Sequence, residues 1–185
     1  MPKSSMKQKT AELDRILETL RGRDLPLLRP ARVWDAKLTG AIEALTPEAA
    51  GLKDGDSFQC LRSGLHLWND DLDRAHRIAQ EIGGSPAGHW HGIMHRREGD
   101  YGNSRYWFRK VGASPVFPGL LAAAQLLAKD HPGDAFAKWV SGQKKWDPIA
   151  FIGACEKLKE AEYLRNVQIK EFELLLGHCR EIGND

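Results

Sequence analysis

The stretch SFQCLRSGLHLWNDDLDRAHRIAQEIGG, residues 57–84, decides the fold. Leu65, Trp68, Leu72, Ala75, Ala79 and Ile82 recur in steps of three and four, the spacing that lines one face of an α-helix. This predicts one helix from Ser57 or Cys60 to Ile82, stopped by Gly83-Gly84. At about 100° per residue the six side chains form a stripe and place His66, Asp70 and Arg77 on the opposite, solvated side. Asp71 and His76 flank the stripe, where a half-buried carboxylate or imidazole needs a partner.

Working outward, the same period appears on both sides. Leu13, Ile16, Leu17 and Leu20 predict a first helix over residues 6–21, with Gly22 at its end. Residues 22–58 carry Pro26, Pro30, Pro47, Gly51 and Gly55, which read as irregular chain with one short helix near Gly40 to Leu45. Leu25, Leu27, Leu28, Val33 and Trp34 would be wasted in an exposed linker, so this segment is expected to wrap the core. Downstream, Pro118 suits the first turn of a helix through Lys129, because a proline nitrogen there forfeits no hydrogen bond. Asp134 begins a short helix containing Phe136, Trp139 and Val140, and Asp147-Pro148 opens another through Leu158. The last helix, Ala161 to Arg180, turns Leu164, Val167, Phe172, Leu175 and Cys179 inward.

No repeat and no sustained alternating pattern is present, so the expected class is all-α, a single-domain array of about six to eight helices with an irregular wrapping segment near the N-terminus. The domain is expected to span residues 1–185, with 1–22 as a peripheral helix and 60–118 as the site segment. A chain of 185 residues with 42% hydrophobic content suffices for one core. The net charge of +2 gives no whole-molecule field toward nucleic acid or anionic lipid, so any such binding must be local. Cys60, Cys155 and Cys179 are too few and too scattered for a disulfide framework or a zinc knuckle. The N-terminus fails as a signal peptide and no stretch is apolar enough for a membrane span, so a cytoplasmic location is expected by default.

The chemistry concentrates in residues 88–110, GHWHGIMHRREGDYGNSRYWFRK, which hold three histidines, four arginines, one lysine, two acids and five aromatics. Buried polar groups must find partners, so a purely structural surface rarely needs such a mixture. Gly88, Gly92, Gly99 and Gly102 allow tight turns and close approach of backbone to a ligand. If Gly88 to Glu98 is helical, His91, His95 and Glu98 share a stripe beside Trp90 and Met94. Two histidines four apart can both reach a zinc ion, with Glu98 as a third ligand. This differs from the His-Glu-x-x-His protease motif, because Gly92 stands where that motif has its general base. Five basic and two acidic residues between 89 and 110 give a local net of +3, whose sign favours an anionic ligand over a bare cation.

The preferred site therefore needs no cofactor, and zinc on His91, His95 and Glu98 is the weaker alternative. His91, His95, Glu98 and Asp71 form the expected catalytic set, a histidine acting as acid or base and a carboxylate orienting it. Arg96, Arg97, Asn103, Arg105, Tyr106, His76 and Trp90 form the expected ligand-binding set, the arginines gripping a phosphate or carboxylate in charge-assisted forks. The bland reading is that the histidines and aromatics are packing residues and Arg-Arg-Glu-Gly-Asp a turn held by its own ion pairs.

The string HWHGIMHRREGDYGNSRYWFRKVG, preceded by SGLHLWNDDLD, resembles a family of uncharacterised bacterial proteins. The resemblance covers residues 60–118 and, more weakly, the C-terminal helices; it implies kinship and no mechanism. The leading functional expectation is a small-molecule enzyme, hydrolase or lyase in type, working by histidine acid/base chemistry on an anionic or sugar-like ligand. Its rivals are a non-catalytic module for an anionic ligand or, less favoured by the net charge, nucleic acid, and an assembly subunit. A homodimer would use the leucine stripe of the first helix.

Overall fold

The computed structural model describes residues 11–53, 55–158 and 160–183. The described residues form eleven helices and no strand. In chain order they are α1 (Ala11–Gly22), α2 (Ala36–Ala44), α3 (Pro47–Ala50), α4 (Asp56–Trp68), α5 (Leu72–Glu81), α6 (Gly84–Glu98), α7 (Tyr101–Val111), α8 (Phe117–Ala128), α9 (Ala135–Ser141), α10 (Pro148–Lys157) and α11 (Glu162–Ile182). The all-α expectation holds, with more helices than the six to eight expected. The additional ones are α3, α7 and the second half of a helix that the sequence pattern ran together. The expected start of α1 at residue 6 lies outside the described residues.

That merged helix is the instructive departure. Residues 57–82 form two helices, because Asn69-Asp70-Asp71 turns the chain. Asp70 adopts φ 61°, a left-handed conformation that Asn and Asp tolerate better than most residues. Asp71 then caps α5, its side chain accepting from the Arg74 backbone N–H. The apolar spacing survives the break, so periodicity alone does not reveal it. The consequence is electrostatic: His66 is 1% exposed and Asp70 7% exposed, where an unbroken helix puts both in solvent. Arg77 is exposed, as the stripe predicts.

The core is built around α4, α6 and α11. α11 packs on α4 and α8, α5 joins α4 to α6, and α7 covers α6 while carrying α10 on its outer side. Leu61, Leu65, Trp90, Ile93, Phe172 and Leu175 are all buried here. Gly64 is required: a Cβ there would stand 2.4 Å from the Trp90 ring, so α4 and α6 approach where only hydrogen fits. Leu13, Ile16, Leu17 and Leu20 of α1 are buried in the same core. The leucine stripe expected to be peripheral, or to meet a second copy, is thus covered by the chain itself.

The segment between α1 and α2 does wrap the core, by a different means from the one expected. Leu28 is buried, yet Leu27 is 44% exposed and Trp34 39% exposed. What fastens the segment is hydrogen bonding to its backbone. Arg97 Nη2 and Gln168 Nε2 donate to the Leu27 carbonyl at 2.9 and 3.3 Å, and Arg165 Nε donates to that of Pro26 at 3.0 Å. The Glu160 carboxylate accepts from the backbone N–H groups of Leu28 and Arg29 at 3.0 and 3.1 Å. Proline-rich chain lacks partners of its own, so side chains from α6, from α11 and from the turn just before α11 supply them. No helix of the described residues is long and apolar enough to cross a membrane.

Candidate functional site

The dense segment folds as an antiparallel pair, α6 and α7, joined by Gly99 and Asp100. Gly99 ends α6 at φ 90°, and a Cβ there would stand 2.8 Å from the Arg29 guanidinium carbon. Asp100 caps α7 by accepting from the Asn103 N–H at 3.0 Å. The two helices press together at Gly92, where a Cβ would lie 2.7 Å from the Phe108 ring, and Ser104 Oγ donates to the Gly92 carbonyl at 2.7 Å. This fixes the register that sets Asn103 against His95 and Trp107 against His91.

On the face that α6 turns toward α5 and α7, three histidines converge. The rings of His91 and His95 stack at 5.1 Å, and His76 of α5 lies edge-on to both, at 4.7 and 5.4 Å. Each offers a nitrogen within 4.8 Å of the others. His95 Nδ1 lies 2.5 Å from Glu98 Oε1, and its Nε2 lies 3.0 Å from Asn103 Nδ2. The Trp107 ring lies flat on His91 at 4.1 Å, with the Lys110 ammonium 4.8 Å above its centre. His91 and His95 are buried, His76 and Asn103 half-buried, and Glu98 exposed, so the cluster opens at the surface.

Burial and the neighbouring imidazoles push His91 down to about 4, and burial followed by His95 lowers His76. Both imidazoles are therefore neutral near pH 7, the form that donates a lone pair to a metal. His91 Nδ1 is buried with no hydrogen-bond partner among the described residues. Leaving such a nitrogen unpaired costs about 1–3 kcal/mol. Glu98 lies against His95 Nδ1, and His95, Glu98 and Asp100 make a second group whose ligand atoms lie within 4.8 Å of one another, while His76 is the third residue of the histidine group. A carboxylate on the far nitrogen is the usual device that fixes a ligating imidazole in orientation and tautomer.

The arginines expected to grip a ligand do not face this cluster. Arg96 is 2% exposed, and its Nη2 donates to Glu171 Oε2 at 2.6 Å while the guanidinium covers the Phe151 ring. Glu171 also meets His89 Nε2 at 3.2 Å. Burial pushes the Glu171 carboxyl up, but Arg96 and His89 outweigh it and hold it below its ordinary value. Arg97 is fully buried; its Nη2 donates to Asp70 Oδ1 at 2.5 Å, and its Nη1 donates to the Leu67 carbonyl. Arg23 pairs with the other oxygen of Asp70 at 2.5 Å. These are internal pairs, although Arg96 Nε and Nη1 and Arg97 Nε are buried without a hydrogen-bond partner among the described residues. The local charge of +3 that argued against a metal is thereby largely neutralised.

Other members of the expected sets are dispersed as well. Asp71 does not join the histidines: its carboxylate caps α5 and accepts from Thr39 Oγ1 at 3.1 Å and Arg74 Nη1 at 3.2 Å. Trp90 is core, tilted against Phe172. Arg105 pairs with Glu156, and Tyr106 is exposed. The structure thus brings together His76, His91, His95, Glu98 and Asn103, and leaves Asp71, Arg96, Arg97, Arg105 and Trp90 elsewhere. Sequence reasoning missed Trp107; its place four residues after Asn103, on the same helix face, is the signal that could have found it.

Beside the cluster, a cleft of about 470 Å³ is lined by Gln80 and Ile82 of the α5 end, Gly84 and Gly88 of α6, and Trp107, Lys110 and Val111 of α7. Gln80 lies one turn beyond His76, Gly88 one turn before His91, and Trp107 belongs to both places. Against family models, curated proteins and solved structures, the chain finds no match.

Proposed function

We propose that this chain is a metal-dependent enzyme of hydrolytic type, with His76, His91 and His95 holding a divalent ion of the zinc class. The observation that carries the reading is the convergence of three imidazoles from two helices, one of them held by a carboxylate. Zinc bound to three protein nitrogens at about 2.0–2.1 Å keeps a fourth position for water. Ligand nitrogens around such an ion lie roughly 3.4 Å apart, so rotation of the imidazoles closes the remaining gap. The chemistry such an ion supplies is the activation of water near neutral pH. Glu98 orients His95 through Nδ1. An ion at His95 Nε2 would displace the Asn103 amide that lies 3.0 Å from it and free that amide for substrate, and the Trp107 side of the cleft takes the substrate's apolar or planar part. Lys110 at the rim attracts an anionic end, which retains the anionic small molecule expected from the sequence with a different cation in the role.

The test has two readings. Titration of apo protein with zinc, followed by calorimetry, is expected to show one ion bound per chain, with binding lost in His91→Ala and His95→Ala variants that remain folded. Hydrolysis of a panel of esters and phosphoesters is expected to stop with a chelator and return with zinc. Wild-type protein that binds no zinc contradicts the proposal. A second reading rests on the 2.5 Å contact between His95 and Glu98: the pair serves as a general base without metal. Turnover that survives the chelator and falls in Glu98→Gln selects it.

A further inference from the structure

On the opposite flank of α5 lies a second cleft, of about 230 Å³, lined by Arg62 and His66 of α4, Arg74, Arg77, Ile78 and Glu81 of α5, and Glu43 of α2. It exists because the turn at Asn69 to Asp71 folds α5 back on α4 and sets arginines from both helices over a buried imidazole. His66 is 1% exposed, and neither of its ring nitrogens has a hydrogen-bond partner among the described residues. Asp71 Oδ2 stands 3.8 Å from Nδ1, beyond hydrogen-bond distance. Arg62 Nε is also buried and unpartnered among the described residues, its Nη1 reaching only Gln59 Oε1 at 3.3 Å. Arg77 is exposed and has no ion-pair partner among the described residues.

The chemistry of these unpaired groups selects a ligand. Two guanidinium groups donate only, and a neutral imidazole adds one N–H donor, so the complement is a compact acceptor rich in oxygen. Arginine forks match oxyanions in bidentate geometry and favour phosphate over a lone halide. The two acids at the rim do not cancel this. Glu43 is tied to Arg74 at 2.5 Å, and Glu81 is exposed to solvent. Arg74 is itself held by Glu43 and Asp71, so it braces the wall, while Arg62, Arg77 and His66 face the guest. A cleft of this size takes a phosphate group and little more, below the usual range for a drug-sized ligand.

We propose that this cleft binds a phosphate-class oxyanion, as the free ion or as the terminal phosphomonoester of a small metabolite, through Arg62, Arg77 and His66. The site is separate from the histidine centre and does not depend on the function proposed for it.

The experiment is a titration of the full chain with inorganic phosphate at constant ionic strength, followed through the histidine ring signals by NMR. A parallel titration with glycerol phosphate separates a monoester ligand from the free ion. The His66 ring signals are expected to move saturably with at least one of the two, and Arg77→Gln is expected to weaken the response by about tenfold. Arg77 is exposed, so that variant keeps its fold. His91→Ala, which removes a ligand of the proposed metal centre, is expected to leave the response intact. Its loss in His91→Ala would place the phosphate on the metal and overturn the proposal. So would His66 signals that stay still with both ligands, or an Arg77→Gln variant that binds as tightly as wild type.

Discussion

Two faces of one helix, α6, carry side chains of similar chemistry toward opposite ends. Arg96 and Arg97 enter the interior and close on Glu171 and Asp70, which lie far along the chain on α11 and at the α4–α5 turn. His91 and His95 face α5 and α7, meet a third histidine, and keep polar atoms near solvent. On the inward face each arginine meets a carboxylate, Arg97 sharing Asp70 with Arg23, and Arg97 also fastens the wrapping segment, while Arg96 Nε and Nη1 and Arg97 Nε stay unpartnered among the described residues. The outward face leaves a buried imidazole nitrogen of His91 uncommitted among the described residues. A rich patch of sequence therefore divides into a half paired inside the protein and a half left near the surface, and partners supplied by distant chain decide which is which.

The comparison breaks most visibly through the inward face. Glu171→Ala leaves Arg96 buried beside His89 without its carboxylate, and losing one partner of a buried pair costs about 3–5 kcal/mol. The expected outcome is a large drop in the urea midpoint or no folded protein, with the double variant Arg96→Met, Glu171→Leu recovering much of the loss. A cost below about 1 kcal/mol, the usual range for exposed pairs, would mean the face is not the closed structure described.

The next effect is acid lability. Burial, opposed by Asp71, pushes His66 down to about 4, below its ordinary 6.5. A histidine whose folded value is depressed resists protonation in the native state only. Its stabilising contribution is whole above about 6.5, falls as the pH drops toward 4, and is then fully lost, roughly 3 kcal/mol in all. Arg62, Arg74, Glu43 and Asp71 surround it and set the depth of the shift. Urea unfolding measured across that window is expected to show a steeper acid slope in wild type than in His66→Phe. Equal slopes would contradict the buried, neutral assignment.

Gly92→Ala is smaller still. The Cβ would meet the Phe108 ring at 2.7 Å, and overpacking of this kind costs about 1–3 kcal/mol. Because it prises α6 from α7, it is expected to lower zinc affinity along with thermal stability, tying the site to the hairpin. The smallest stability effect belongs to the outward face itself. Glu98 is exposed, so Glu98→Gln is expected to shift stability by no more than about 0.5 kcal/mol, while zinc affinity falls about 10–100-fold through loss of the carboxylate that orients His95. A change in stability without a change in affinity would reverse the roles given to the two faces.

Much of the helical order is legible in the sequence because its signals are local. Asp134 and Asp147 cap α9 and α10 as expected, accepting backbone N–H groups at 2.8–3.0 Å, and Pro118 sits in the first turn of α8. The α4–α5 break escapes because the apolar period runs through it, although Asn69-Asp70-Asp71 is a turn and cap signal of its own. At the site, the four-residue spacing places His91 and His95 together, and His76 is legible as a flank residue needing a partner. Nothing local shows that Arg96 and Arg97 would be consumed by Glu171 and Asp70, or that Leu27 and Trp34 would stay exposed while their backbone is pinned. Those are long-range pairings, and a single sequence carries composition for them without geometry.

X-ray absorption at the zinc edge of zinc-loaded protein tests the proposed metal centre of His76, His91 and His95 most directly. The predicted spectrum shows a first shell of nitrogen and oxygen at about 2.0–2.1 Å, with the multiple scattering of imidazole rings and no sulfur. A shell containing sulfur, which would draw on Cys60, Cys155 or Cys179, or zinc that washes out with no defined shell, would contradict the account.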